Sequence, residues 1–202
     1  GPKSVEVWNL VFTQYDRQPD GSLKALPKPN IDTGMGLERL TRVIQGVETD
    51  YETDLFEPII DTIRRVARAK KINLENPKVI AAQRTVADHI RAIVFLIGEG
   101  IIPSNEKQGY VLRMLIRRAS MRMQEALGIG FYGNDLVSAA LDLAEAVEFS
   151  IGQSPYASAL FSKHETVRQV LSKEIMQFQE TVGVAVARLG SLIARTRQAR
   201  NH

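Results

Sequence analysis

Apolar positions in this chain change their spacing near residue 36, from rough alternation to a helical period. Residues 5–15, VEVWNLVFTQY, alternate imperfectly and are rich in Val, Phe, Trp and Tyr, the composition of a strand. Gln18-Pro19-Asp20-Gly21-Ser22 is a turn, because proline fixes φ and glycine supplies positive φ. Leu23–Leu26 reads as a short return strand, and Pro27 and Pro29 are expected to break regular structure before Asp32. The first 33 residues therefore predict a β-hairpin or a sheet edge, which alone is marginal in water.

From Gly36 onward the pattern is helical. Leu37, Leu40, Val43 and Ile44 share a face, and Gly46 is a stop. Asp54 is placed to cap a second helix with the stripe Leu55, Ile59, Ile63 and Val66. Pro77 opens a third, burying Val79, Ala82, Val86, Ile90, Ile93, Val94 and Ile97, and Gly98 and Gly100 end it. An arginine-rich helix follows the loop 103–106, and 128–133 breaks it. Asp135 starts an Ala/Leu helix to about Ser150, and 151–161 reads as a loop with Pro155. Ser162-Lys163-His164-Glu165 has the form of a capping box opening a last helix. Its stripe is Val167, Val170, Leu171, Ile175, Phe178 and Val182, and it is expected to continue, kinked at Gly183, through Leu189 and Ile193. The expected fold is α+β and mostly α: a short antiparallel β segment, then a domain of six or seven helices.

Composition bounds the function. With 202 residues, 44% hydrophobic and 24% charged, the chain is an ordinary globular protein. The longest apolar run, IVFLIG at 93–98, is far short of a membrane span, and no charged-then-apolar leader opens the chain. The absence of cysteine removes disulfides and thiolate metal sites, and His89, His164 and His202 are too scattered for a local metal motif, so no zinc site is expected. Net charge is only +3, yet residues 107–122 hold Lys107, Arg113, Arg117, Arg118 and Arg122 without an acid, and 195–202 hold three arginines without one. Such a stripe is either a phosphate-gripping surface or a solvated helix face.

Two segments carry candidate chemistry. In Ile31-Asp32-Thr33-Gly34-Met35-Gly36-Leu37-Glu38-Arg39 the glycines are either a structural turn or a place where a ligand approaches the backbone. Arg39 is suited to a phosphate and Asp32 to an ammonium group, a pair that fits activation of an amino acid by ATP. In Pro103-Ser104-Asn105-Glu106 an asparagine head either reads a base edge in a shallow groove or, with Ser104, caps the next helix. Trp8 reads as packing, and Asp88, His89 and Arg91 as a structural charge network. There is no nucleophile–base pattern, no catalytic carboxylate pair and no Walker motif.

Three of these segments together resemble alanyl-tRNA synthetase, a class II aminoacyl-tRNA synthetase family: residues 6–40, YETDLF at 51–56, and ADHIRAIVFLIGEGIIPSNEKQGYVLRMLIRRA at 87–119. A weaker likeness runs through KEIMQFQETVGVAVARLG at 173–190, and 120–172 matches least. The resemblance implies that residues 1–48 are the last part of a class II catalytic domain, carrying its third motif, and that 49–202 form a helical tRNA-recognition domain. It implies ATP- and alanine-binding roles for Asp32, Gly34, Gly36, Arg39, Trp8 and Asn9. It implies that Asn105 reads the G·U pair of the tRNA-Ala acceptor stem, that Ser104 and Lys107 also bind the tRNA, and that Arg113, Arg117 and Arg118 lie along its backbone. ATP and Mg2+ are the implied cofactors of the complete enzyme, in the cytoplasm or an organellar matrix.

The family's first two class II motifs, its LYDT-x-GFP segment and its editing domain have no counterpart here. The chain is therefore expected to be an internal piece or truncated paralogue that is inactive alone, its missing parts supplied by more chain or by a partner. The competing reading is a stand-alone tRNA-binding or scaffold protein.

Overall fold

In the computed structural model, which describes residues 4–152 and 154–200 with backbone alone for 197–200, the alternating segment forms a two-stranded antiparallel hairpin. Its strands are β1 (Trp8–Arg17) and β2 (Leu23–Met35). The turn is built as its residues dictate: Gly21 sits at φ +85°, and the Asp20 carboxylate accepts from the Ser22 amide (2.9 Å) and hydroxyl (2.7 Å). These bonds hold the Asp20 carboxyl below its ordinary pKa.

Contrary to expectation, the prolines do not end the return strand. Pairing passes from Thr13 with Asn30 to Tyr15 with Ala25, so residues 26–29 loop out opposite Gln14. Pro27 and Pro29 lie in that unpaired stretch, where no ladder donor is required of them. The strand then resumes through Asp32 and Gly34, so this glycine-containing segment is a paired strand and not a turn.

The register gives the hairpin two unlike faces. Asn9 opposes Gly34 and Val11 opposes Asp32 on one, while Trp8 opposes Met35 and Phe12 opposes Ile31 on the other. The second face is bare: Trp8, Leu10, Phe12, Ile31 and Met35 are each more than half exposed. Helix α1 (Leu37–Gln45) follows, stopped at Gly46 with φ +67°, and buries no residue.

Contacts divide the chain after Thr53, and the buried apolar core lies entirely in the second unit, from Phe56 on. Here α2 (Glu57–Ala69), α3 (Pro77–Gly98), α4 (Lys107–Leu127), α5 (Asn134–Ser150), α6 (Ala157–Phe161) and α7 (His164–Arg200) pack around Ile59, Ile63, Ile90, Ile97, Leu112, Ile116, Leu136, Leu143 and Leu171. Burying each such side chain contributes roughly 2 kcal/mol. Helix α3 lies along α4, and α5 packs on α2 and α7. Pro77 takes the first turn of α3, capped by Asn76, whose side chain accepts from the Lys78 amide at 2.9 Å.

Three local expectations are corrected. Asp54 does not cap α2, whose N-cap is Phe56 with Pro58 in the first turn. The 151–161 stretch contains α6, which a five-residue segment without a full period could not announce. Ser162 does not cap α7: its amide and hydroxyl bond back to Ser158 and Ala159, closing α6. Helix α7 runs unbroken through Gly183, buried at Val167, Leu171 and Ile175 and exposed from Val184 to Thr196. The basic terminus at 195–202 lies partly outside the described residues. The fold is α+β and mostly α, and none of the described helices is long and apolar enough to cross a membrane.

Candidate functional site

The loop between α3 and α4 is folded back on α4 by a glycine. The Ser104 amide donates to the Gly109 carbonyl (3.0 Å), and the Ser104 hydroxyl donates to the Glu106 carbonyl (2.9 Å). A Cβ on Gly109 would lie 2.2 Å from Ser104 Oγ and 2.6 Å from the Ile102 carbonyl, so only glycine admits the loop at this distance. Lys107 turns the extended chain into α4 at φ +49°, a left-handed conformation costly for a non-glycine residue. Ser104 thus organises the loop, while exposed Asn105 caps nothing: its Oδ1 accepts from an Nη of Arg113.

The basic helix is not a row of free cations. Arg117 Nε donates to Glu174 Oε1 at 2.9 Å, and Arg113 Nε lies 3.5 Å from the same oxygen. The Glu174 side chain is only 4% exposed, and Arg117 stands 5.1 Å over the Phe178 ring. Arg122 pairs with Glu125 at 2.7 Å. Arg118 and Lys107 remain exposed. A groove of about 890 Å³ runs along this face of α4, floored by Met114, Met121 and Phe178 and edged by Arg118. A smaller hollow, about 400 Å³, is lined by Pro103, Arg113, Lys173 and Glu174. Glu174 and Gly109 were not singled out from sequence.

Upstream on α3, His89 Nδ1 meets Asp88 at 3.1 Å, and that bond, with Arg91 nearby, holds the Asp88 carboxyl below its ordinary value. His89 Nε2 is buried without a partner.

The second group lies in the hairpin unit. Asn9, Asp32 and Gly34 share one hairpin face. Trp8 stands on the other, its indole N–H donating to Thr33 Oγ1, which donates to the Asn9 carbonyl at 2.9 Å. Asn9 Nδ2 reaches Glu6 at 3.4 Å. Arg39 donates to the Glu6 carbonyl at 3.0 Å and lies 4.0 Å from its carboxylate. A Cβ on Gly34 would meet only Asn9 Oδ1 at 3.7 Å, and on Gly36 only the Arg39 side chain at 3.4 Å, with neither glycine at positive φ. Neither glycine is therefore required by packing or backbone in this chain. Among the described residues no group of three or more His, Cys, Asp or Glu side chains is placed to hold a metal ion.

Comparison with known proteins identifies the family. The family of tRNA synthetases class II (A) matches residues 1–201. Alanine–tRNA ligase of Endomicrobium trichonymphae is 44% identical over 190 residues, 94% of this chain and 20% of that protein. Alanine–tRNA ligase of Francisella tularensis subsp. novicida is 42% identical over 183 residues, 90% and 19% of the two chains. That of Staphylococcus aureus is 41% identical over 198 residues, 98% and 21%. The chain thus spans about a fifth of the length of these relatives. It belongs to the class II (A) tRNA synthetases, on the alanyl-tRNA synthetase branch of that family.

Proposed function

We propose that this chain supplies the acceptor-stem reading surface of an alanine–tRNA ligase, together with one wall of its adenylate site. In this reading residues 1–48 close the catalytic domain and 49–202 are the tRNA-recognition domain. The observation that carries it is the loop at 103–106, which holds an exposed Asn105 at a fixed place over α4 through Arg113 and the close approach at Gly109. A planar amide fixed on the loop that opens α4, the helix carrying exposed Lys107 and Arg118, is suited to touch a base pair in a shallow groove while the cations meet phosphates.

In the complete enzyme, ATP and alanine form alanyl-adenylate with release of pyrophosphate, and the alanyl group passes to the terminal ribose of tRNA-Ala with release of AMP. No protein nucleophile is required, so catalysis rests on positioning and charge stabilisation. Asp32 would hold the alanine ammonium, Arg39 a phosphate of ATP, and Gly34 and Gly36 leave room for the adenylate. Asn9 shares the Asp32 face and helps to line it, while Trp8 braces β2 through Thr33. Mg2+ would accompany ATP in the complete enzyme. The bare hairpin edges and apolar face fit a site completed by further sheet, from more chain or from a partner.

The test is binding of the purified chain to tRNA-Ala and to a variant with the acceptor-stem G·U changed to G·C, across a salt series. The reading expects a preference for the wobble tRNA that vanishes in Asn105→Ala. It expects Arg118→Ala to weaken both equally and lower the salt slope by about one. Equal binding of both tRNAs by the unaltered chain would reduce the surface to a phosphate grip, and no binding would favour a scaffold.

A further inference from the structure

We infer that Glu174, on α7, is a positioning residue that acts through Arg113 to turn the Asn105 amide so that its NH2 group is the end offered to whatever docks on the loop. The inference rests on the reading above and adds the chemistry of the contacted edge, which must present an acceptor oxygen or ring nitrogen.

Guanidinium groups donate and never accept. The Asn105 atom facing Arg113 is therefore Oδ1, and the NH2 group is left pointing away. The arginine's charge on the carbonyl also polarises the amide and strengthens the outward N–H donors. An amino group on the docked edge would meet NH2 against NH2, so the arrangement discriminates against donors as well as for acceptors.

Arg113 cannot hold this place unaided. It stands four residues from Arg117, on the same face of α4, and like charges at that spacing repel. Both side chains are largely withdrawn from water, 19% and 26% exposed. The buried Glu174 carboxylate lies between them, hydrogen-bonded to Arg117 at 2.9 Å and 3.5 Å from Arg113 Nε. Arg117 is further fixed over Phe178. Arg113 has no hydrogen bond at Nε, so the pull of Glu174 on it is Coulombic, and the directional bond is the one to Asn105. The contacts run from α7 to α4 to the loop, and Arg113 and Arg117, expected along an RNA backbone, are also engaged within the protein.

The test has an RNA-free arm and an RNA arm, both on the full 202-residue chain. In the first, the Asn105 side-chain amide is followed by 1H–15N NMR, assigned by its loss in Asn105→Asp. Glu174→Gln, nearly isosteric, is expected to shift both amide protons, and Arg113→Met, which keeps the Glu174–Arg117 pair, to shift them likewise. An Asn105 amide unmoved in Arg113→Met overturns the inference, even if Glu174→Gln fails to fold. The second arm measures binding to acceptor-stem duplexes carrying G·U or G·C. Both variants are expected to lose about ten-fold of the preference while binding of the G·C duplex holds. Equal losses on the two duplexes would make Glu174 merely structural and overturn the inference. If Asn105→Ala removes the preference but Glu174→Gln and Arg113→Met do not, the relay fails and the reading stands. If Asn105→Ala leaves the preference intact, the reading itself fails and takes this role with it.

Discussion

Arg117 and Glu174 meet at 2.9 Å across the α4–α7 contact, fifty-seven positions apart in the chain, at a carboxylate shielded from solvent. Removing one partner of such a pair leaves a charge without compensation. Glu174→Ala is expected to destabilise the helical unit by about 3 kcal/mol, since Arg117 keeps partial access to water. Urea unfolding followed by circular dichroism measures it, and a change below half that size would show the pair to be solvent-screened.

Gly109 is the second point at which one atom matters. Gly109→Ala gains roughly 1 kcal/mol of helix propensity but drives its methyl into Ser104 and the Ile102 carbonyl. Overpacking of this kind costs about 1–3 kcal/mol, so stability should fall slightly and the loop should move. The expected signature is lost RNA discrimination with a small drop in the urea midpoint; intact discrimination would show that the loop does not depend on this approach.

Gly34 and Gly36 invite the opposite result. Alanine at either position meets no atom closer than 3.4 Å, so Gly34→Ala and Gly36→Ala should leave the melting temperature of the chain almost unchanged. Introduced into a complete synthetase, both should depress adenylate formation, read by ATP–pyrophosphate exchange. Unimpaired exchange would remove the ligand-clearance role.

Asp88 sets a pH limit. Its carboxyl titrates below the ordinary aspartate value, first because His89 bonds to its charged form, against the opposing effect of burial. A depressed folded pKa gives stability that is present above the unfolded value, near 3.9, and lost as pH falls through the folded one. Urea midpoints taken from pH 7 to pH 3 should therefore fall more steeply below about pH 4 in the parent than in Asp88→Asn. At neutral pH the substitution should cost under about 1 kcal/mol, because the side chain is more than half exposed. Parallel acid limbs would contradict the assignment.

Much of the helical structure was legible because its punctuation is local. Gly46 and Gly128 end helices where the backbone takes positive φ, and Pro77 fits a first turn whose N–H has no partner. The β2 prolines misled because the bulge that excuses them depends on a partner strand. Ser162 misled because the same residue type closes one helix and opens another. Asn105 drew notice as a polar head on a loop, but its freedom from capping duty emerges only with Arg113 in place. Glu174 was invisible for a plainer reason: an acid on an amphipathic helix reads as a solvated position until a distant helix brings two arginines to it.

Trp8 is the only tryptophan of the chain and sits on the bare face of the hairpin. The protein thus carries an optical label for one unit alone. Indole emission reports the state of the strands, while far-ultraviolet dichroism is dominated by the helices. A denaturation followed with both signals separates the two units without any added dye, and burial of the hairpin face against any further surface would move that emission to the blue.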